Sequence, residues 1–185
     1  MNGLVAEHFL TRFVRDSTAL LDATAGHDLG DPYWAPPQER PFLLEVGADP
    51  GRLRIAFTTR LPTGMQAHED CVKAVQEAAA LCESLGHVIE KSALELDSES
   101  IMGMFLILWS SGCAMSVEGM ALATGREITE KKFETLTWAL YERGKEQKAK
   151  DYLLAVAGLQ MVSRRIASLF VNYDVWLTPA LAEPP

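Results

Sequence analysis

The sequence is poor in cysteine and in positive charge. Its 185 residues include three cysteines, an odd number, and none forms a C-x-x-C pair. Cys71 and Cys82 lie on one predicted helix, roughly 16 Å apart along its axis, which is too far for a disulfide. The formal net charge of −8 argues against a nucleic-acid partner. No basic segment with a cleavage site opens the chain, so we expect a cytoplasmic protein.

The sequence also lacks the common motifs for metals, nucleotides and nucleophilic elbows. The histidines make no pair at helical metal-ligand spacing; they are His8, His27, His68 and His87. No glycine pattern matches a phosphate loop or a dinucleotide fingerprint, and there is no G-x-S-x-G run. We therefore expect neither a metal nor a cofactor.

Hydrophobic residues are abundant, at 48 % of the chain, which is enough for a core-bearing domain or a large piece of one. The segment Ile101–Val117 carries no charge and is at the short limit for a membrane span. It is interrupted by Ser110-Ser111-Gly112. We interpret it as a buried helix, and we expect no membrane association.

Hydrophobic periodicity predicts an α/β fold. Leu53–Phe57 and His87–Glu90 have the pattern of strands, and a helix from Glu69 to Leu85 separates them. A strand, a helix and a second strand in this order predict a right-handed crossover between parallel strands.

Four further helices are predicted. The first runs from Val14 to Ala25 and ends at Gly26. A long helix, Ile101–Leu122, follows potential capping residues at Ser98–Ser100 and is apolar nearly all round, so we expect it to be covered on both sides. Thr129 and Asp151 are expected to cap the last two helices, of which the second reaches about Phe170.

Three segments carry a resemblance to the amidase signature hydrolases. The most specific combines Thr11–Asp16, Leu20–Asp22 and Gly26, which resemble the segment that follows the catalytic serine in that family. Gly51–Phe57 and Asp174–Pro179 are similar to two later strands of the family. The resemblance implies the amidase signature fold, with an incomplete mixed β-sheet flanked by helices, as a single partial domain over residues 1–185.

The resemblance extends to a branch of the family. Glu7-His8 and Asp31–Trp34 resemble members similar to aryl-amidases and 6-aminohexanoate cyclic-dimer hydrolases. The family hydrolyses amides through a serine nucleophile, a second serine on a cis peptide bond and a lysine, with glycine-rich turns for the oxyanion. No such run occurs here, since the resemblance places those residues upstream of Met1. Ser110-Ser111-Gly112 is the nearest imitation, but it lies within an apolar helix.

These observations predict a fragment of an amidase that has no catalytic residue of its own and is inactive alone. By resemblance, Trp109, Ser110 and Cys113 would form a wall of the substrate pocket; the alternative is that they fill the core. The partner would be a small-molecule amide once the missing portion completes the site. An unpaired sheet edge would also favour self-association into a homo-oligomer.

Two other functions remain open. One is a non-catalytic accessory or small-molecule-binding protein on an amidase-like scaffold. The other is an independent helical binding module whose similarity to the family is accidental.

Overall fold

The computed structural model describes residues 4–5, 7–61 and 67–184, and its contacts divide the chain into two compact units. The N-terminal unit ends at Gly51, and the C-terminal unit begins at Arg52. Pro62 and Gly64 in the sequence predict a loop from Arg60 to Gly64, which lies partly outside the described residues.

The N-terminal unit contains helix α1 (Val14–Thr24) and a 3₁₀ helix (Phe42–Glu45). Gly26 follows α1 with φ +116°, a left-handed backbone that a side chain rarely adopts, so the predicted end of this helix is confirmed. Phe13 is the N-cap residue of α1 and has no side chain that can accept a first-turn N–H. The Thr11 hydroxyl donates to the Phe13 carbonyl oxygen at 3.1 Å.

Asp22 links the two elements of the N-terminal unit. Its carboxylate accepts the backbone N–H groups of Phe42 at 2.7 Å and Leu43 at 2.9 Å, and the side-chain amide of Gln38 at 3.4 Å. The first-turn N–H groups of a 3₁₀ helix have no partner within the helix, so a carboxylate from another element satisfies them. The Leu20–Asp22 motif therefore has a structural role here.

The C-terminal unit contains a small parallel sheet. Within the described residues, β1 (Arg54–Phe57) lies between β2 (Val88–Lys91) and β3 (Val175–Leu177), and both pairings are parallel. Helix α2 (Glu69–Ser84) connects β1 to β2, so the predicted strand–helix–strand unit is confirmed. The α/β class is confirmed as well, and the strands described here include no antiparallel pair.

Three more helices follow: α3 (Ser98–Thr124), α4 (Thr135–Lys145) and α5 (Ala149–Ala167), which continues as a 3₁₀ helix to Val171. Helix α3 packs against both α4 and α5. A core cluster of Ala114, Val117 and Tyr141 lies between α3 and α4.

The predicted starts of all three helices were wrong. Asp97 caps α3, because its carboxylate accepts the Ser100 N–H at 3.1 Å and the Ser100 hydroxyl at 2.6 Å. Thr129 precedes a 3₁₀ helix (Glu130–Lys132), and α4 begins only after Glu134. Asp151 lies in the first turn of α5, which Lys148 precedes.

The expectation that α3 is covered on both sides was also wrong. Its buried residues are Leu108, Ser110, Ala114 and Val117. The exposed ones include four large apolar side chains, namely Met102, Met115, Met120 and Leu122. Packing against α4 and α5 covers one side of the helix only.

Close backbone approach, rather than large side chains, fixes these helix contacts. A Cβ atom placed on Gly144 of α4 would overlap the Ser110 carbonyl oxygen and lie 2.7 Å from the Ala114 Cβ atom. At Gly158 of α5 the nearest atoms belong to the flexible Met104 side chain, which can move aside. A small residue is therefore required at Gly144, where α3 meets α4.

Candidate functional site at the carboxyl ends of the strands

A cleft of about 210 Å³ opens where the strands of the sheet end. We call it the strand-edge cleft; its lining residues are Thr58, Arg60, Leu61, Ala93, Leu94, Glu95, Leu96, Trp176 and Thr178. They come from the segments that follow β1 and β2 and from the end of β3. The carboxyl ends of parallel strands are the usual position for ligands in open α/β sheets, which makes this cleft the candidate site.

Backbone hydrogen bonds beyond the strands hold the cleft in shape. The N–H of Thr58 donates to the Leu177 carbonyl oxygen at 3.0 Å, and the N–H of Ser92 donates to the Phe57 carbonyl oxygen at 3.1 Å. Thr58 is 4 % exposed, and its hydroxyl oxygen accepts the backbone N–H of Arg60 at 3.1 Å. The chain therefore turns sharply after β1 and carries Arg60 to the mouth of the cleft.

The cleft combines apolar walls with charges that have no partner. Among the described residues, neither Arg60 nor Glu95 takes part in an ion pair, and both are exposed to solvent. The indole Nε1 of Trp176 is buried and has no hydrogen-bond partner in this part of the chain. A buried donor of this kind costs about 1–3 kcal/mol while it remains unsatisfied.

The lining of the strand-edge cleft contains no serine, cysteine, lysine or histidine. Acyl transfer requires a nucleophile and a base within hydrogen-bond reach of each other. The residue types that most often supply these two groups are absent from the described lining.

A serine and a histidine do meet elsewhere, in the N-terminal unit. The His8 Nε2 atom lies 2.8 Å from the Ser17 hydroxyl oxygen, across the start of α1. The pair is exposed, and no carboxylate orients the histidine among the described residues. The sequence analysis missed this contact, and the nine-residue spacing gives no signal for it. The contact anchors the segment before α1 to the first turn of that helix.

The residues proposed as a pocket wall lie on α3, away from the strand-edge cleft. Ser110 is fully buried, its hydroxyl donates to the Ile107 carbonyl oxygen at 3.2 Å, and its backbone lies against Gly144. Trp109 is half-buried, with its ring 5.5 Å from that of Phe105.

Cys113 is half-buried at the contact of α3 with α4. Its thiol donates to the Thr137 carbonyl oxygen at 3.5 Å, and burial raises the pKa of the thiol. A raised thiol pKa lowers the fraction of thiolate, which is the nucleophilic form. This environment is typical of a packed cysteine, and the pocket-lining role of Trp109, Ser110 and Cys113 remains a prediction.

Two further features bear on partners. Among the described residues, no three histidine, cysteine, aspartate or glutamate side chains are grouped so that they could hold a metal ion. Two helical segments, Ser98–Thr124 and Ala149–Val171, are long and apolar enough to cross a membrane by length and composition. The core helix of a soluble protein passes the same test.

Comparisons with known proteins place the chain in a family. The Amidase family model matches residues 2–185. A protein of Synechocystis sp., provisionally named an amidase, is 32 % identical over 184 residues, which are 100 % of this chain and 33 % of that protein. The 6-aminohexanoate-cyclic-dimer hydrolase of Pseudomonas sp. is 28 % identical and is matched over 97 % of this chain and 37 % of its own length.

Solved structures have the same fold. A 6-aminohexanoate cyclic dimer hydrolase complexed with substrate superimposes with a TM-score of 0.81 at 27 % identity, over 89 % of this chain and 35 % of the other. A bacterial aryl acylamidase of the amidase signature family matches with a TM-score of 0.79 at 15 % identity, over 93 % and 36 % of the two chains. The chain spans about a third of the length of the curated relatives it matches. The chain belongs to the amidase family.

Proposed function

We propose that the chain is part of a hydrolase that cleaves carbon–nitrogen amide bonds by acyl transfer to serine, and that it is inactive alone. The observation that carries this proposal is the family match over residues 2–185, which corresponds to only 33–37 % of the relatives' length. The substrate would be a small linear or cyclic amide, in keeping with the relatives named as cyclic-dimer hydrolases. We treat the whole chain as a single partial amidase domain.

Inactivity follows from what acyl transfer requires. A serine needs an adjacent base, and the oxyanion needs preorganised donors. The lining of the strand-edge cleft offers no serine, cysteine, lysine or histidine, and the Thr58 hydroxyl oxygen already accepts the Arg60 N–H. Ser110 is fully buried, and Ser17 meets a histidine only on an exposed surface.

The expected setting is the cytoplasm, with no nucleic-acid or membrane partner. The net charge of −8 disfavours phosphate backbones. Helix α3 packs against α4 and α5, so part of its apolar surface is covered by protein. Its exposed methionines and the exposed leucine support self-association of the isolated chain.

The test is an amidase assay of the purified chain with aryl and aliphatic amides. We expect no turnover above the uncatalysed rate. Four alanine variants serve as controls for adventitious activity: His8→Ala, Ser17→Ala, Ser110→Ala and Ser111→Ala. Turnover that copurifies with the chain would contradict inactivity, and its loss in one of the four variants would identify the residue responsible.

The second candidate is a non-catalytic binding protein on the same scaffold. The cleft favours it, because apolar walls and unpaired charges suit a small ligand. Ligand binding without turnover, in a chain that is monomeric and binds no apolar dye, would favour this alternative over a fragment of an enzyme.

A further inference from the structure

We propose that Ser17 and His8 act as a nucleophile and its base, and that they cleave activated carboxylic esters through an acyl group on Ser17. The observation is the contact at the start of α1, where 2.8 Å separate the Ser17 hydroxyl oxygen from the His8 Nε2 atom. At this distance a histidine can take the proton of a hydroxyl that attacks a carbonyl carbon. Because the contact is exposed, a substrate can reach both side chains.

The helix positions the Ser17 hydroxyl. Side chains of an α-helix lean toward its N-terminus, and Ser17 is the fourth residue of α1, so its side chain lies over the first turn. His8 belongs to the segment before the helix, and its ring meets that of Phe9 edge to face, with 5.7 Å between the ring centroids. The nucleophile and the base thus come from two segments that meet in the folded N-terminal unit.

The first turn of α1 supplies donors for the oxyanion. The N–H groups of Asp16 and Ser17 donate to the Phe13 carbonyl oxygen at 3.1 and 3.2 Å. Those of Val14 and Arg15 have no acceptor within the helix, and Phe13 offers them no side-chain oxygen. Unpaired N–H groups at the positive end of a helix stabilise negative charge, which develops on the carbonyl oxygen during attack by Ser17.

The reaction has two steps and returns both residues to their starting state. In the first step, His8 Nε2 takes the proton of the Ser17 hydroxyl while the hydroxyl oxygen forms a bond to the ester carbonyl carbon. The bond from that carbon to the leaving-group oxygen then breaks, and the leaving group departs with the proton from His8. In the second step, water attacks the acyl group on Ser17 in the same way and releases the carboxylic acid.

The surroundings of the pair restrict the substrate to esters with a good leaving group. No carboxylate orients His8 among the described residues, and the open surface does not exclude water, so the pair lacks two advantages of a full triad. A phenol, with a pKa of about 10, leaves as an anion, whereas an amine must gain a proton before it leaves. We therefore expect cleavage of activated esters but not of amides, which is compatible with the proposed inactivity of the chain alone.

The experiment compares p-nitrophenyl acetate with p-nitroacetanilide, the amide that has the same acetyl group and the same ring. We expect turnover of the ester alone. Mass spectrometry of peptides from the acid-quenched chain should locate an acetyl group on Ser17. Ser17→Ala and His8→Ala should each lower the ester rate about 100-fold, the lower end of what general base catalysis contributes.

Two substitutions elsewhere are matched controls: Ser163→Ala and His27→Ala. Ser163 is an exposed serine whose hydroxyl donates to the Leu159 carbonyl oxygen, and His27 is an exposed histidine that stacks on Trp34. Neither residue belongs to a serine–histidine contact in the described part of the chain, so both variants should retain the ester rate.

Three results would overturn the inference: no ester turnover above the uncatalysed rate, turnover that persists in Ser17→Ala, or acetyl groups on lysine or histidine side chains with none on Ser17. The second and third are the results expected if a surface side chain reacts directly with the ester. Turnover of p-nitroacetanilide would instead contradict the proposed inactivity toward amides and leave the ester result in place.

Discussion

Different interactions stabilise the two units. One set holds the helices of the C-terminal unit together, and another connects the segments of the N-terminal unit. Helices α3, α4 and α5 meet through buried apolar residues and glycines that allow close backbone approach. The described part of the N-terminal unit has no buried side chain, and its segments are connected by hydrogen bonds that Asp22 accepts, that Arg40 donates and that His8 shares with Ser17. The first region should therefore respond most to changes of volume, and the second to the loss of single polar atoms.

Gly144→Ala should have the largest effect. The new methyl group would overlap the Ser110 carbonyl oxygen, and backbone atoms cannot move aside as a flexible side chain can. We expect a loss of about 3 kcal/mol in the free energy of unfolding, measured by urea denaturation. Gly119→Ala is the matched control, since nothing lies near its Cβ position; it should stabilise the chain by up to about 1 kcal/mol. Equal effects of the two would show that α3 and α4 do not approach this closely.

Asp22→Ala should loosen the N-terminal unit alone. It removes the acceptor for the Phe42 and Leu43 N–H groups, at a cost of about 1–3 kcal/mol to local opening. Hydrogen exchange of these two amides is the measurement, with Glu39→Ala as the control on an exposed neighbour. Asp22→Asn keeps one acceptor oxygen, so its exchange rates should lie between those of Asp22→Ala and Glu39→Ala. Faster exchange throughout α3 as well would contradict the expectation that the substitution affects the N-terminal unit alone.

Phe13→Ser should stabilise α1. Phe13 has the extended backbone of an N-cap residue, and serine there can accept the Asp16 N–H. The gain is about 1 kcal/mol, and because the Phe13 residue is 62 % exposed, little burial is lost. Thermal denaturation is the measurement, with Leu10→Ser as the control at a fully exposed site. A lower midpoint for Phe13→Ser would mean that the ring packs against a surface in solution.

Lowering the pH should change the free energy of unfolding least. The change should be similar in both regions. Hydrogen bonding to Arg40 lowers the pKa of Glu45, and hydrogen bonding to Ser100 lowers the pKa of Asp97. A carboxyl with a lowered folded-state pKa stabilises the fold above its ordinary pKa, about 4.3 for Glu and 3.9 for Asp. That stabilisation is lost as the pH falls through the folded-state value.

The Ser100 amide and the Arg40 Nε signal would report the two titrations by NMR. Both midpoints are expected below the ordinary carboxyl values. Glu45→Gln and Asp97→Asn should abolish the respective transitions. A midpoint at or above the ordinary value would show that the corresponding hydrogen bond does not persist in solution.

The fold was predictable where the determinants are local. Alternating and helical apolar patterns gave the strand–helix–strand unit, and Gly26 gave the end of α1. Helix starts were less predictable, because Asp97, Glu134 and Lys148 had competing polar neighbours within a few residues. The exposed face of α3 was missed, since uniform apolarity shows that a helix seeks cover but does not show whether cover is present.

Local sequence patterns could not predict the candidate site. Its walls come from segments after β1, after β2 and at the end of β3, and no spacing in the sequence brings Arg60 near Glu95. The family resemblance pointed to Asp174–Pro179 but could not show that the Trp176 Nε1 atom is buried with no hydrogen-bond partner among the described residues. The tertiary partners of Asp22 were hidden for the same reason, since they lie some twenty residues along the chain.

The strand-edge cleft exists only when β1, β2 and β3 are paired, because each strand delivers one of its walls. A ligand that occupies it therefore binds the folded sheet and not the open chain. By mass action, such a ligand at a hundred times its Kd would raise the free energy of unfolding by about 2.7 kcal/mol. Ligand binding and formation of the sheet are therefore thermodynamically linked. A compound library could be screened by the shift in Tm alone, without an activity assay.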